Sequence, residues 1–506
     1  MIKRLALGLA ALLAALAVCA PACADTLRVG SKRFTESYIL AQVLAQAAAP
    51  LLAQPPEVKQ GLGNTAIVYQ ALRSGNIDLY PEYAGTIALE ILKSDKPLDL
   101  EAINRALAPL GLGAAIPLGF NDGYALAMRD ADAQKLGVRT LSDLARHPEL
   151  RLGLSNEFIG RSDGWPGLAR RYGMKQQPAG LDHGLAYDAI AASQIDVMDI
   201  YTTDAKIGHL KLAVLRDDLN YFPRYDALVL YRLDVPQRFP QAWAALQKLA
   251  GSIDENKMIA MNARAELEGA PFDAIARDHL AGKGHASTAQ RGFAAKLMGP
   301  DLARLTWQHL GLVAVSVGIA ALIAIPVAVL VFSRPRARAA VLGATGLLQT
   351  VPSLALLAIL IWAMGAIGLA PAVLALTLYA LLPIMRNTVT GLAEVPAGLR
   401  DAASALGMTT AQRLRLVELP LAWPTILAGL RIATIIAIGT ATIAAFVGAG
   451  GYGERIVTGL AINDRDLLLA GALPAAALAL VSEALFEIIA RSSGRQRAAP
   501  TGAARA

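Results

Sequence analysis

From about Trp307 onward the chain turns apolar on a membrane scale. Runs near 308–332, 341–365, 368–385, 426–447 and 467–490 are each about as long as a bilayer crossing requires. This half is therefore expected to be an all-α domain of five spans. Charge divides the chain at nearly the same place: Lys, Asp and Glu are plentiful up to about Pro300, and no lysine follows Lys296. The basic excess is modest, 47 Lys and Arg against 40 Asp and Glu, and the later basic residues are mostly arginines flanking apolar runs. That is a pattern of membrane orientation rather than of nucleic-acid binding.

The arginines set a topology. Arg334, Arg336 and Arg338 follow the first run, and Arg491, Arg495, Arg497 and Arg505 follow the last. The positive-inside rule then puts the first connection, the 386–425 loop and the C-terminus in the cytoplasm. The chain must enter its first span from outside, and an odd number of spans carries its end back in. An exported domain ahead of Trp307 satisfies both conditions. Lys3 and Arg4, the apolar stretch Leu5 to Val18, and Ala22-Cys23-Ala24 before Asp25 read as an export signal over residues 1–24, cleaved or kept as an anchor. Both cysteines, Cys19 and Cys23, lie inside it, so a cleaved chain has no disulfide or zinc–thiolate chemistry open to it.

Within the spans, Pro326, Pro352 and Pro383 read as kinks supported by neighbouring helices. Glu483 and Glu487 sit one turn apart, and Arg491 follows Glu487 at the same spacing. A carboxylate in lipid marks function or pairing, and the spacing favours pairing near the cytoplasmic end.

The 386–425 loop carries Asp401-Ala402-Ala403, then Gly407, then Val417-Glu418-Leu419-Pro420. Small residues allow a short helix to sit close to a partner, and Gly407 can end it. The segment resembles the coupling loop of binding-protein-dependent ABC importers, with Asp for the family's Glu and Val for its Ile. The resemblance implies that Asp401, Ala402, Ala403, Gly407, Leu419 and Pro420 face a cytoplasmic ABC ATPase, and that the permease works as a homodimer. No G-x-x-x-x-G-K-[ST] phosphate loop occurs, so ATP is expected to be used by that partner chain. No cofactor or metal is expected on this one.

The exported half echoes itself. Ile77-Asp78-Leu79-Tyr80 with Tyr83 parallels Ile195-Asp196-Val197-Met198 with Tyr201, and Leu27-Arg28-Val29-Gly30 parallels Leu150-Arg151-Leu152-Gly153. Two α/β lobes of similar plan would put both tyrosines at strand carboxyl ends, the edge at which open α/β sheets bind ligands. The cleft between the lobes is the natural site. Tyr83, Tyr124, Tyr201 and Tyr225 together suggest an aromatic cage. Ring faces suit a quaternary ammonium ion, which has no hydrogen to donate.

Further segments carry a second resemblance: Gly30-Ser31-Lys32-Arg33-Phe34-Thr35-Glu36, Tyr80-Pro81-Glu82-Tyr83-Ala84-Gly85-Thr86, Asn121-Asp122-Gly123-Tyr124, Phe158-Ile159-Gly160-Arg161-Ser162-Asp163, Asp199-Ile200-Tyr201-Thr202-Thr203-Asp204 and Phe222-Pro223-Arg224-Tyr225. They are similar to the substrate-binding proteins of glycine betaine, carnitine and choline importers. The resemblance implies cage roles for Tyr83, Tyr124, Tyr201 and Tyr225, and a carboxylate grip by Lys32, Thr86 and Arg161, with Asp122 also at the site. Lys and Arg give charge-assisted hydrogen bonds to a carboxylate. Gly123 and Arg224 depart from the family pattern beside cage tyrosines.

The expected architecture is an α/β two-lobed, type II periplasmic-binding-protein-like domain over 25–283. A mobile linker over 284–306, a five-span ABC importer permease domain over 307–492 and a cytoplasmic tail over 493–506 follow it. The expected setting is a bacterial inner membrane with the binding domain outside. The expected cargo is a quaternary ammonium compatible solute, glycine betaine or a related betaine, with choline, carnitine or ergothioneine as alternatives and a membrane-tethered sensor as a weaker one. The six histidines form no H-x-x-x-H pattern, and His183 and His209 read as surface residues.

Overall fold

The computed structural model describes residues 25–94, 96–283, 292–462 and 464–495, with side chains to Arg491. The export signal, Gly284, Ser287 and Thr288 of the linker, and most of the tail with Arg497 and Arg505 lie outside the described residues.

The N-terminal half has two five-stranded sheets built alike. In the first, β1 (Arg28–Gly30), β2 (Glu57–Lys59), β3 (Leu79–Tyr83), β4 (Leu112–Ala115) and β10 (Ala227–Arg232) run in the order β2-β1-β3-β10-β4. In the second, β5 (Tyr124–Arg129), β6 (Leu152–Ser155), β7 (Ala179–Leu181), β8 (Val197–Tyr201) and β9 (Leu212–Leu215) run in the order β7-β6-β8-β5-β9. The echoed segments occupy equivalent places: β1 and β6 lie parallel to β3 and β8, and each of the latter takes one antiparallel neighbour. The central strands β3 and β8 are short and buried on both faces, as a sheet covered by helices requires, and each carries one buried carboxylate, Glu82 and Asp199. The chain crosses between lobes after β4 and again after β9, and the two crossing segments touch at an isolated bridge between Asn121 and Asp226.

The membrane half shows four helices long and apolar enough to cross a bilayer: Leu302–Phe332, Leu369–Ala393, Thr410–Val447 and Arg465–Arg491. The second expected span is different. Pro335–Thr350 and Ser353–Met364 meet at 101°, a broken span, so the count reaches five only if this pair makes one crossing. Pro352 explains the break. It disfavours helical backbone at Val351, which is extended at ψ 127°, and the Tyr379 hydroxyl caps the freed Val351 carbonyl. Pro326 and Pro383, by contrast, sit inside continuous helices.

The helices pack through small residues. Ala320, Ala324, Ala328, Ala380 and Ala433 are buried together, and a Cβ on Gly429 would lie 2.7 Å from the Asn387 Cβ and 2.9 Å from the Pro383 carbonyl. Close backbone approach of this kind replaces the hydrophobic drive that lipid removes. Arg431 reaches across to Glu483 and to Glu487 (3.3 Å), and Arg491 also pairs with Glu487 (3.1 Å), so these carboxylates are paired as their spacing suggests.

The joint was expected to be mobile, and the helix in its described part buries none of its own residues. Phe293–Leu297 is helical, and Lys296 pairs with Asp464 at 2.6 Å. The binding lobes also rest on the permease. The helix Gly453–Ala461 with its flanking loops touches the first lobe through Gln60 and Arg33 and the second through Lys206, whose Nζ donates to the Ile462 carbonyl.

Candidate functional site

Strand register assembles the tyrosines. Tyr201 ends β8 and lies directly opposite Tyr124, the first residue of β5. Tyr83 ends β3 opposite Ala227, two residues after Tyr225. The rings of Tyr124 and Tyr201 lie 5.1 Å apart, and that of Tyr225 stands edge-on to Tyr124 at 5.7 Å. Tyr83 joins them through Phe34, whose ring is 6.4 Å from Tyr83 and 5.1 Å from Tyr201. Gly85 makes room for Tyr225, since a Cβ there would meet its ring at 2.7 Å. All four tyrosines and Phe34 therefore lie where the two lobes meet.

The cations expected beside them are present and already partnered. Arg161 is 4 % exposed; its Nε and Nη2 hold Asp163 at 2.8 and 2.6 Å, Nη2 also donates to Thr86 Oγ1 at 3.3 Å, and its guanidinium lies over the Tyr124 ring. Lys32 is paired with buried Glu82 at 2.5 Å, and its ammonium sits 5.0 Å from the centre of the Tyr83 ring. The Tyr225 hydroxyl donates to Asp163 at 2.8 Å. Thr86 and Tyr83 come from the first lobe and Arg161 and Tyr124 from the second, so the cluster spans the cleft. Of the two departures, Arg224 points away, 76 % exposed at its side chain and paired with Asp226, while Gly123 donates its N–H to Thr202 Oγ1.

Several site residues escaped the sequence reading of roles. Asp122 is buried, and its carboxylate accepts from the Thr203 hydroxyl at 2.9 Å and from the Thr203 N–H at 3.4 Å. Glu36 accepts from the Tyr83 hydroxyl at 2.5 Å and from Thr203 Oγ1 at 2.6 Å. Burial pushes the Glu36 carboxyl up to about 7, with Asp204 adding to the rise, and burial together with the charges of Glu36 and Asp204 raises that of Asp122 well above the usual range. His183 is not a surface residue. Its ring lies 4.6 Å from Tyr201 and its Nε2 is 3.0 Å from Asp204. Burial opposes the imidazolium, but Asp204 outweighs it and raises His183 to about 9. His209 is exposed as expected.

The coupling segment forms the helix Ala397–Ala405, which holds Asp401, Ala402 and Ala403. Gly407 follows at φ +76°, a left-handed stop, and Leu419 and Pro420 begin the regular α-helical stretch Leu419–Ala441 inside the span Thr410–Val447.

Residues 25–282 match the family described as the substrate binding domain of ABC-type glycine betaine transport system, and residues 316–495 match the binding-protein-dependent transport system inner membrane component. The chain belongs to the binding-protein-dependent ABC importers. Importers of this kind place binding and permease functions in separate modules, and here both lie in one chain. The osmoprotectant import permease protein OsmW of Salmonella typhimurium is 47% identical over 189 residues, 37% of this chain and 88% of that protein. The glycine-betaine-binding protein of Pseudomonas aeruginosa is 35% identical over 274 residues, 51% of this chain and 88% of its own. The ergothioneine transport permease/ergothioneine binding protein EgtU of Helicobacter pylori is 33% identical over 267 residues, 50% of this chain and 46% of that protein. The importer's two modules thus each have relatives among osmolyte and betaine systems.

Proposed function

We propose that this chain is the binding and permease subunit of an importer for a betaine-type zwitterion, glycine betaine above the alternatives choline, carnitine and ergothioneine. The observation that carries the reading is the juxtaposition of an aromatic cluster with partnered but unsaturated cations. Tyr83, Tyr124, Tyr201 and Tyr225 offer π faces to a trimethylammonium group. Beyond its bonds to Asp163 and Thr86, Arg161 keeps Nη1, which lies 3.7 Å from Glu157 Oε1, outside hydrogen-bond distance, and Lys32 has three N–H donors of which Glu82 takes one. A ligand carboxylate between Lys32, Thr86 and Arg161 uses those free donors, whereas choline leaves them empty.

In this reading the binding domain spans 25–283, the joint 284–306 and the permease 307–492, a division supported by the two family matches over 25–282 and 316–495. A separate cytoplasmic ABC ATPase docks on the 397–420 segment and hydrolyses ATP, a permease homodimer forms the pathway, and the binding domain faces the periplasm of a bacterial inner membrane. Positive-inside charge supports that orientation. Titrating the purified full chain with glycine betaine, choline, carnitine, proline betaine and ergothioneine tests the reading. Saturable binding of glycine betaine, tighter than choline, is expected; binding of none of the five would overturn it.

A further inference from the structure

Behind the tyrosines lies a group of polar side chains with one hydrogen too few. Glu36 and Asp122 are 2 % and 4 % exposed, and among the described residues neither carboxylate has a Lys, Arg or His partner within 4.0 Å. Between them stands the Thr203 hydroxyl, 2.6 Å from Glu36 Oε2 and 2.9 Å from Asp122 Oδ1. A hydroxyl carries a single hydrogen, so it can donate to only one of two carboxylates. The other close contact sets two acceptor oxygens against each other unless a carboxyl brings its own proton. Asn262, 2 % exposed, adds an independent sign. Its Nδ2 donates to the Thr203 carbonyl at 3.0 Å and lies 3.4 Å from Glu36 Oε2, and its Oδ1 is a buried acceptor with no donor among the described residues.

The surroundings supply no cation to relieve this. Glu36 shares a small cavity with His183, Asp204, Lys206 and Glu266. The positive groups there are committed elsewhere: His183 to Asp204 at 3.0 Å and Lys206 toward Glu266 at 4.0 Å, while Lys32 across the Tyr83 ring is held by Glu82. Two buried carboxylates sharing a site cannot both ionise cheaply. The pieces also come from different parts of the fold. Glu36 and Asn262 belong to the first lobe, Asp122 to a crossing segment and Thr203 to the second lobe, so the arrangement exists only with the lobes together.

We propose that Glu36 and Asp122 hold one proton between them through the Thr203 hydroxyl, and that closing of the lobes on ligand takes this proton up. The proton site then also sets Tyr83, whose hydroxyl rests on the other oxygen of Glu36 at 2.5 Å. The inference deepens the ligand reading of the same cleft and rests on it, since closure is driven there by ligand.

The test is calorimetry of glycine betaine binding to the full chain near pH 6, between the usual carboxylate value of 4.5 and the raised value of about 7, in two buffers of unlike ionisation heat. Uptake approaching about one proton per ligand is expected. In Glu36→Gln the uptake should vanish, and affinity should lose its dependence on pH. Equal heats in both buffers for the parent, or an unchanged pH profile in Glu36→Gln, would overturn the proposal. If glycine betaine does not bind at all, the preference for it fails separately, and thermal unfolding in saturating choline, carnitine, proline betaine or ergothioneine, whichever binds, decides the proton site; binding of none of them removes the closure the proposal rests on and overturns it. A proton held more tightly in the folded state stabilises fully below about 4.5 and is lost as pH rises to about 7. The parent should show that decline, and Glu36→Gln and Asp122→Asn should flatten it. The same slope in all three refutes the shared proton. Should one variant not fold, the other is read against the parent; should neither fold, the parent's heats decide.

Discussion

The guanidinium of Arg161 lies 5.2 Å from the centre of the Tyr124 ring, and the same Nη2 that holds Asp163 also reaches Thr86 on the opposite lobe. One side chain therefore touches the aromatic cluster, a buried counter-ion and the facing lobe. Replacing it disturbs all three, and a useful experiment must separate them.

Arg161→Ala should weaken glycine betaine far more than choline, because only the former loses a partner for its carboxylate. It also strands Asp163, which is 6 % exposed, at a cost on the order of 3–5 kcal/mol. The double change Arg161→Ala with Asp163→Asn removes that second effect. Binding isotherms on the double variant should keep the preference against glycine betaine. An equal loss for both ligands would put Arg161 outside the carboxylate site.

The tyrosines should not tolerate change equally. Tyr201→Ala should weaken binding about tenfold through loss of roughly 1–2 kcal/mol of cation–π attraction. Tyr201→Phe should be nearly silent, since the Tyr201 hydroxyl makes only a 3.5 Å contact with that of Tyr124. Tyr83→Phe should cost more than Tyr201→Phe, because it removes a donor to buried Glu36. Similar affinities for the two Phe variants would contradict the asymmetry.

His183 links stability to pH. Its folded-state value is raised from 6.5 to about 9, so its contribution is complete below about 6.5 and disappears as pH climbs through about 9. Unfolding temperatures of the parent should fall across that window, and those of His183→Asn should fall less. A steeper decline in the variant would show that the imidazolium is not what Asp204 stabilises.

Gly407 sits at φ +76°, where a side chain is strained. Gly407→Leu should leave ligand affinity unchanged, while uptake and ligand-stimulated ATP hydrolysis fall together in vesicles containing the partner ATPase. Normal uptake with reduced binding would mean that the 397–420 segment does not couple the two.

Much of this protein is written in local pattern. Apolar run length sets the membrane helices, because lipid forces each backbone to satisfy itself. The paired echoes around Tyr83 and Tyr201 foretell two sheets of one plan, because strand and turn chemistry repeat along the chain. The break at Pro352 was harder to read: a proline kinks one helix and ends another, and the Tyr379 hydroxyl waiting at the Val351 carbonyl belongs to a distant helix.

What the chain determines by itself is which elements form and which residues end them, since these follow from periodicity, proline, glycine and charge within a few residues. Tertiary structure alone decided who stands next to whom. Phe34 fills the gap between Tyr83 and Tyr201, His183 is drawn from an expected surface to Asp204, and Glu36 meets Asp122 across Thr203 although 86 residues separate them in the chain. Charges and hydroxyls acquire their roles from burial and from partners brought in by other strands, and no local pattern carries either quantity.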